Sequence, residues 1–385
     1  MSIYRRKSGR YAVLIDLDPT STGGRRRRSL GTYPTRKEAE RAERDALSAR
    51  DRGIDLAPQT VTIKALVERF LQERSARWST KTRERSQEIA EQYIIPHLGS
   101  RTLAKLRPPH VAEWCTILRE RGGRPVRRGD EEPRNRPLSP KTVHHAFMLL
   151  KAAFGWGVKM QLATLNPLVA VDSPKVPRRE AQAFTPEEIR KLLDAAEGTR
   201  WQNLVLFALA TGARRGEIAA LRWENVNMES TSITVCASLC DTRAGVEEKL
   251  TKTEKPRIVP LSAMAADALR RQRIAQAQAS RWTSGYCDTG HVFQGPAGGS
   301  IRPYDITDGF RKLARKTGVA ITSFHALRHT AATWMLVSGV DVRSTAGVLG
   351  HSTASTTLGI YAHVVASAQA AAVATIDERL REATA

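Results

Sequence analysis

The chain has 385 residues, with 61 Lys and Arg against 39 Asp and Glu, giving a formal net charge of +22. An apolar share of 41% suffices for packed cores and excludes a disordered chain, and the length calls for about two to three domains. The pI near 10.4 fits a polyanionic partner, most simply nucleic acid, without specifying its sequence or strand form.

The first predicted unit runs from residue 1 to 57. Ile3 to Arg6 and Tyr11 to Leu17 flank Lys-Ser-Gly-Arg, a hairpin signal, and Arg25 to Tyr33 reads as a third strand. Thr35-Arg-Lys-Glu38 is a capping box that opens a charged helix, which continues to about Arg52 before Gly53. Arg25, Arg26, Arg27 and Arg28 open the third strand and read as phosphate contacts.

Residues 60–171 read as all helix. Ile63, Leu66, Val67, Phe70 and Leu71 recur at helical spacing. Further helices are predicted over Lys81 to Tyr93 and Pro109 to Arg121, followed by a loop rich in Gly, Pro and charge as far as Pro137. A last helix opens with Ser139 as cap and Pro140 in the first turn, and is expected to turn Val143, Phe147, Leu150, Phe154 and Val158 inward. Lys141, in its first turn, is a further candidate DNA contact.

Residues 172–183 form a basic linker broken by proline, which would let two DNA-contacting domains clamp a duplex. A third domain, 184–385, starts at the capping box Thr185-Pro-Glu-Glu188. It reads as mostly helical, with strands near Ser232 to Val235 and Pro256 to Leu261. The fold class is therefore α+β, mainly α. A small N-terminal three-stranded sheet with one helix precedes an all-α domain and a mostly helical domain carrying a small antiparallel sheet.

Cys115, Cys236, Cys240 and Cys287 are too few and too scattered for a disulfide framework. Cys236 and Cys240 fall on a predicted strand, where their offset separates them by roughly 13 Å and argues against zinc. The N-terminus lacks the apolar core of a signal peptide, and no apolar run approaches the ~20 residues of a membrane span. The expected location is the cytoplasm, at the nucleoid, away from membranes.

Chemistry concentrates in the third domain. The apolar run Leu204 to Ala210 ends at Thr211-Gly212, a turn able to expose Arg214, with Glu217 three residues on to orient it. His325, Arg328 and His329 share one helical face. Ala326 stands where a zinc protease motif carries glutamate, and a cation on that face opposes a metal ion. Lys252 sits on a predicted hairpin, with Lys255 and Arg257 competing for its role. Leu349-Gly-His351 closes a short helix, and Tyr361 follows ten residues later. Taken singly, Arg214 reads as an ion pair with Glu217, Lys252 as a surface lysine and Tyr361 as a packing residue.

In this order and at these intervals, the motifs Thr-Gly-x-Arg-x-x-Glu, His-x-Leu-Arg-His-Thr and Leu-Gly-His followed by Tyr resemble the tyrosine recombinase family, specifically phage and mobile-element integrases of the lambda-integrase type. The resemblance covers Thr185 to Val364. The segment Leu138 to Pro167 resembles the end of the family's core-binding domain, and residues 1–57 its arm-binding domain.

The resemblance implies a site-specific recombinase that attacks DNA with Tyr361, forms a 3′-phosphotyrosine and releases a 5′-hydroxyl. It would integrate, and in reverse excise, a mobile element. Arg214 and Arg328 would hold the phosphate, His325 would act as base, Lys252 as acid and His351 as a hydrogen-bond donor. No cofactor is expected. The implied partners are double-stranded DNA with core and arm-type sites, three further copies in a tetramer, an excisionase and a DNA-bending protein. Two rivals share parts of this pattern: a type IB topoisomerase that relaxes one duplex, and a non-catalytic DNA-binding regulator. The arm-like domain and the short interval from Leu-Gly-His to Tyr361 favour the integrase.

Overall fold

The computed structural model describes residues 2–7, 9–17, 26–51, 61–122, 137–177, 182–250, 256–350, 353, 355, 357–359, 361 and 380–383. These divide into two compact units, Met1–Pro177 and Arg178–Ala385.

The first unit begins with an antiparallel sheet of β1 (Ser2–Arg5), β2 (Tyr11–Leu17) and β3 (Arg26–Tyr33), with β2 central. Arg26, Arg27 and Arg28 pair in the backbone with Leu17, Asp16 and Ile15. Arg25 lies outside the described residues, as do the side chains of those three. Thr35 and Glu38 cap α1 (Arg36–Asp51) reciprocally, as their spacing predicts. Ala39 and Ala46 of α1 are buried, as are Ala12 and Val13 of β2.

The helices α2 (Ile63–Ser75), α3 (Thr80–Ile89), α4 (Ile95–Leu98), α5 (Pro108–Glu120) and α6 (Pro140–Lys159) share one core. The stretch read as one helix to Tyr93 changes to a π turn over Ala90–Ile94 before α4. Ser139 caps α6 by accepting from the Thr142 N–H, and Lys141 is exposed in its first turn. Val143, Phe147, Leu150 and Phe154 are buried as expected, but Val158 is 36% exposed. Along α6 the inward positions alternate by four and three residues. Gly157 therefore takes the inward place, against Leu66, and Val158 rotates outward.

The second unit starts with α7 (Pro186–Ala196), where Thr185 and Glu188 form the predicted reciprocal cap. Thr185→Ala removes the acceptor for the Glu188 N–H and is expected to cost about 1 kcal/mol, read as a lowered melting temperature. There follow α8 (Gln202–Thr211), α9 (Arg215–Ala220), β4 (Val226–Asn227), β5 (Ser232–Val235), β6 (Ala237–Thr242), β7 (Gly245–Leu250), β8 (Arg257–Pro260) and α10 (Ala263–Trp282). The chain continues through β9 (Gln294–Gly295), β10 (Gly298–Ser300), α11 (Pro303–Lys316), α12 (His325–Val337) and α13 (Val342–Leu349). A sheet ordered β4-β5-β8 and a hairpin of β6 with β7 are both antiparallel. The sequence predicts β5 and β8 and a strand through Cys236 and Cys240; the structure ends β5 at Val235 and places Cys240 in β6, and the exposed, charged β7 lacks the buried alternating face that would mark it in the sequence. The hairpin predicted around Lys252 lies outside the described residues at 251–255. Phe207, Ile218, Ile233, Val259, Phe310 and Leu327 bring α8, α9, the sheet, α11 and α12 into one core. Among the described residues, no helix is long and apolar enough to cross a membrane.

Candidate active site

The site is assembled by the ends of α8, α12 and α13 and by β8. Leu204 to Leu209 are buried all round α8, so this helix is a fixed post inside the core. It stops at Gly212, which is left-handed at φ +61°, and a Cβ there would lie 2.6 Å from the Leu349 side chain. Both the turn and the close approach require glycine. The reversal makes Arg214 the cap residue of α9, with its guanidinium directed back to the start of the turn that ends α13.

Glu217 organises the cations. Its carboxylate is buried and receives the Arg214 N–H at 3.0 Å and Arg214 Nη1 at 2.8 Å. Arg257 adds a two-pronged pair, with Nη2 to Oε2 at 2.6 Å and Nη1 to Oε1 at 3.1 Å. Burial alone would raise the Glu217 carboxyl. The Arg257 hydrogen bond and charge, then Arg214, hold it below the usual carboxylate range. The second Arg214 nitrogen, Nη2, donates to the Gly350 carbonyl at 2.8 Å.

Arg328 projects from α12 and is 3% exposed. Nη1 donates to the Gly212 carbonyl at 2.7 Å, while the buried Nη2 has no partner among the described residues. Burial, with the like charges of Arg214 and Arg257, pushes this guanidinium down to about 9 against the opposing pull of Glu217. A buried donor without an acceptor is costly. An anion seated against Nη2 would relieve both the missing bond and the excess positive charge.

Tyr361 packs with Ala332, Leu336 and Leu349 and is 1% exposed. Its hydroxyl lies 2.6 Å from His329 Nδ1. Burial pushes the phenol up to about 12, with Arg328 opposing. Burial and then the Arg328 charge lower His329, so the ring is neutral near pH 7 and Nδ1 can accept the phenolic proton.

The structure thus brings together Arg214, Glu217, Arg328 and Tyr361. His325 begins α12, with its ring 4.7 Å from His329 and nearly perpendicular to it. Lys252 and His351 lie outside the described residues. Two contributors carry no distinct role in the sequence: His329 shares a helical face with His325 and Arg328 but its partner is distant, and Arg257 is one of several basic residues in the run that holds Lys252. Among the described residues, no group of three or more His, Cys, Asp or Glu is arranged to hold a metal ion.

Residues 182–367 match the phage integrase family, and residues 62–118 match the SAM-like N-terminal domain of phage integrases. The tyrosine recombinase XerC of Xanthomonas campestris pv. campestris is 31% identical over 271 residues, 69% of this chain and 72% of that protein. A XerC-like tyrosine recombinase of Caldanaerobacter subterraneus subsp. tengcongensis is 29% identical over 260 residues, covering 62% of this chain and 66% of the relative. In fold, the chain resembles the Tn1549 transposon integrase in complex with transposon right-end DNA. The TM-score is 0.66 at 22% identity, over 81% of this chain and 99% of that one. It also resembles a lambda integrase tetramer bound to a Holliday junction, with a TM-score of 0.57 at 17% identity over 91% and 95% of the two chains. Neither the topoisomerase nor the regulator reading is favoured by these relatives. The chain belongs to the tyrosine recombinase family of phage-integrase type, and it is a site-specific DNA recombinase that breaks and rejoins DNA strands.

Proposed function

We propose that Tyr361 is the nucleophile and that Arg214 and Arg328 receive the scissile phosphate. The observation that carries this reading is Nη2 of Arg328, which has no partner among the described residues and is buried in a cationic cluster beside the end of α8. Negative charge grows on the non-bridging oxygens as the phenolate attacks phosphorus. Preorganised guanidiniums stabilise that charge without reorienting. The Tyr361 oxygen forms a bond to phosphorus, the bond from phosphorus to the 5′-oxygen breaks, and that oxygen takes up a proton. Lys252 is the proposed donor of that proton and His351 a donor to a phosphate oxygen. A 5′-hydroxyl attacking the phosphotyrosine reverses the step, so no external energy source is needed.

The bond of 2.6 Å supports His329 as acceptor of the phenolic proton, in place of His325 expected from the sequence. His325, against the His329 ring, would support it. Because the phenol is covered, DNA must uncover it before attack. Covalent attachment to a nicked duplex library with randomised core positions tests the scheme. The rate should fall along an acid limb that lies below the ~6.5 of an ordinary histidine, because burial and the Arg328 charge lower His329. His329→Gln should remove that limb; an unchanged limb would move the base elsewhere.

Residues 1–57 are proposed to bind arm-type DNA, with Arg25, Arg26, Arg27 and Arg28 on phosphates. Residues 60–171, including Lys141, would bind core DNA, with 172–183 as linker and 184–385 as the catalytic domain. By likeness to the lambda integrase tetramer, four copies would act on two sites. Integration and excision of a mobile element, assisted by an excisionase and a DNA-bending protein at the nucleoid, complete the reading. No cofactor is invoked.

A further inference from the structure

We propose that Arg257 is a positioning residue for strand cleavage, acting through Glu217 on Arg214 and through Gly350 on the turn that leads into residue 351. This rests on the reading of Arg214 as a phosphate-binding group.

Arg257 occupies the first position of β8, opposite Val235 of β5, so its backbone is fixed by the sheet. Its side chain is only 16% exposed and its fork closes on both Glu217 oxygens. Those oxygens also fix Arg214, one through the backbone N–H and one through Nη1. Glu217 therefore has two masters, and the pair with Arg257 leaves it one orientation. With Arg257 absent, the carboxylate would be held by Arg214 alone, and the two could swing as a unit.

The other side of Arg257 faces the α13 turn. Gly350 is left-handed at φ +68°, and a Cβ there would fall 2.6 Å from Arg257 Cζ and 2.7 Å from its Nε. The guanidinium lies flat under a residue that has no side chain to keep it away. The Gly350 carbonyl accepts from Arg214 Nη2 at 2.8 Å, which closes a loop of contacts: Arg257 to Glu217, Glu217 to Arg214, Arg214 to Gly350, and Gly350 back on Arg257. Three sequence-distant segments are thereby set against one another. A lysine at 257 keeps the charge but cannot span both carboxylate oxygens as a planar fork.

The test uses the full chain and a duplex selected by covalent capture of the wild-type protein from the randomised nicked library. Failure of wild-type capture, or capture by Tyr361→Phe, would count against the nucleophile itself and separates that failure from this one. Arg257→Gln, Glu217→Gln and the double variant are compared at saturating duplex, well below each melting temperature. Arg257→Gln is expected to slow attachment on the order of 10- to 100-fold with duplex affinity nearly unchanged, the cost of a small misplacement near the chemistry. Arg257→Lys should recover little of the rate. The double variant should be no slower than the slower single variant, because both act through one carboxylate. Arg257→Gln should also gain a loss of rate at acid pH that Glu217→Gln abolishes. Among the described residues, the carboxylate would then face Arg214 on its own helix and Arg328 from α12. Multiplying single-variant losses, full rescue by lysine, or a lowered melting temperature with wild-type rate would each overturn the proposal.

Discussion

Tyr361→Phe is expected to abolish covalent attachment to DNA while leaving duplex binding within about twofold, since binding rests on many phosphate contacts across a chain of charge +22. Phenylalanine keeps the ring that packs on Ala332, Leu336 and Leu349, so α12 and α13 should stay in place. The loss is confined to the oxygen and its bond to His329 Nδ1. That oxygen is the atom that would join phosphorus, and no other group can replace it without a different covalent product. Denaturing gels of a labelled nicked duplex read the outcome directly. A slower-migrating DNA–protein band that survives in Tyr361→Phe would place the nucleophile elsewhere. Because the phenol is covered, the same variant should melt close to wild type, losing one buried hydrogen bond worth about 1 kcal/mol.

Much of this site could be read in the sequence because its parts are local. Arg214 and Glu217 sit one helical turn apart, and the turn is marked by a glycine whose φ of +61° would strain most side chains. His325, Arg328 and His329 also share a face through helical spacing alone. The capping boxes at Thr35 and Thr185 carry their own start signals in side chains three residues apart. What escaped is what the chain closes over distance. Arg257 reaches Glu217 across 40 residues, and nothing in the Thr-Lys-Thr-Glu-Lys-Pro-Arg run distinguishes it from its basic neighbours before the sheet fixes its direction. His329 meets Tyr361 across 32 residues, so spacing identified its face but not its partner. Val158 differs for another reason: four regular turns from Val143 end at residue 157 rather than 158, and a small Gly157 takes the inward place that an apolar side chain is expected to fill. Periodicity counts hydrophobic residues, and glycine at a close helix contact is invisible to it.

Arg328→Lys is expected to reduce the cleavage rate on the order of 100- to 1000-fold, although the formal charge is unchanged. The reason lies in how the guanidinium divides its work. Nη1 is committed to the Gly212 carbonyl at 2.7 Å, which ties α12 to the turn that presents Arg214. Nη2 has no partner among the described residues, and in the proposed scheme it donates to the phosphate. A lysine has one ammonium for both tasks. If it stays on Gly212 the phosphate loses a donor, and if it turns to the phosphate the turn loses its anchor. Burial and the charges of Arg214 and Arg257 press on whatever cation stands here, and an amine yields its proton under such pressure far more readily than a guanidinium. The substituted site should therefore also be emptier of charge as pH rises, so raising pH should widen the gap from wild type. Single-turnover attachment measured against pH, beside duplex affinity, separates the two demands. Loss of rate with affinity retained means that Arg328 acts on charge that develops in the transition state. Equal loss of both would make it a ground-state anchor. A lysine variant that cleaves as fast as wild type would mean that one buried charge suffices, and that the division between Nη1 and Nη2 has no part in the chemistry.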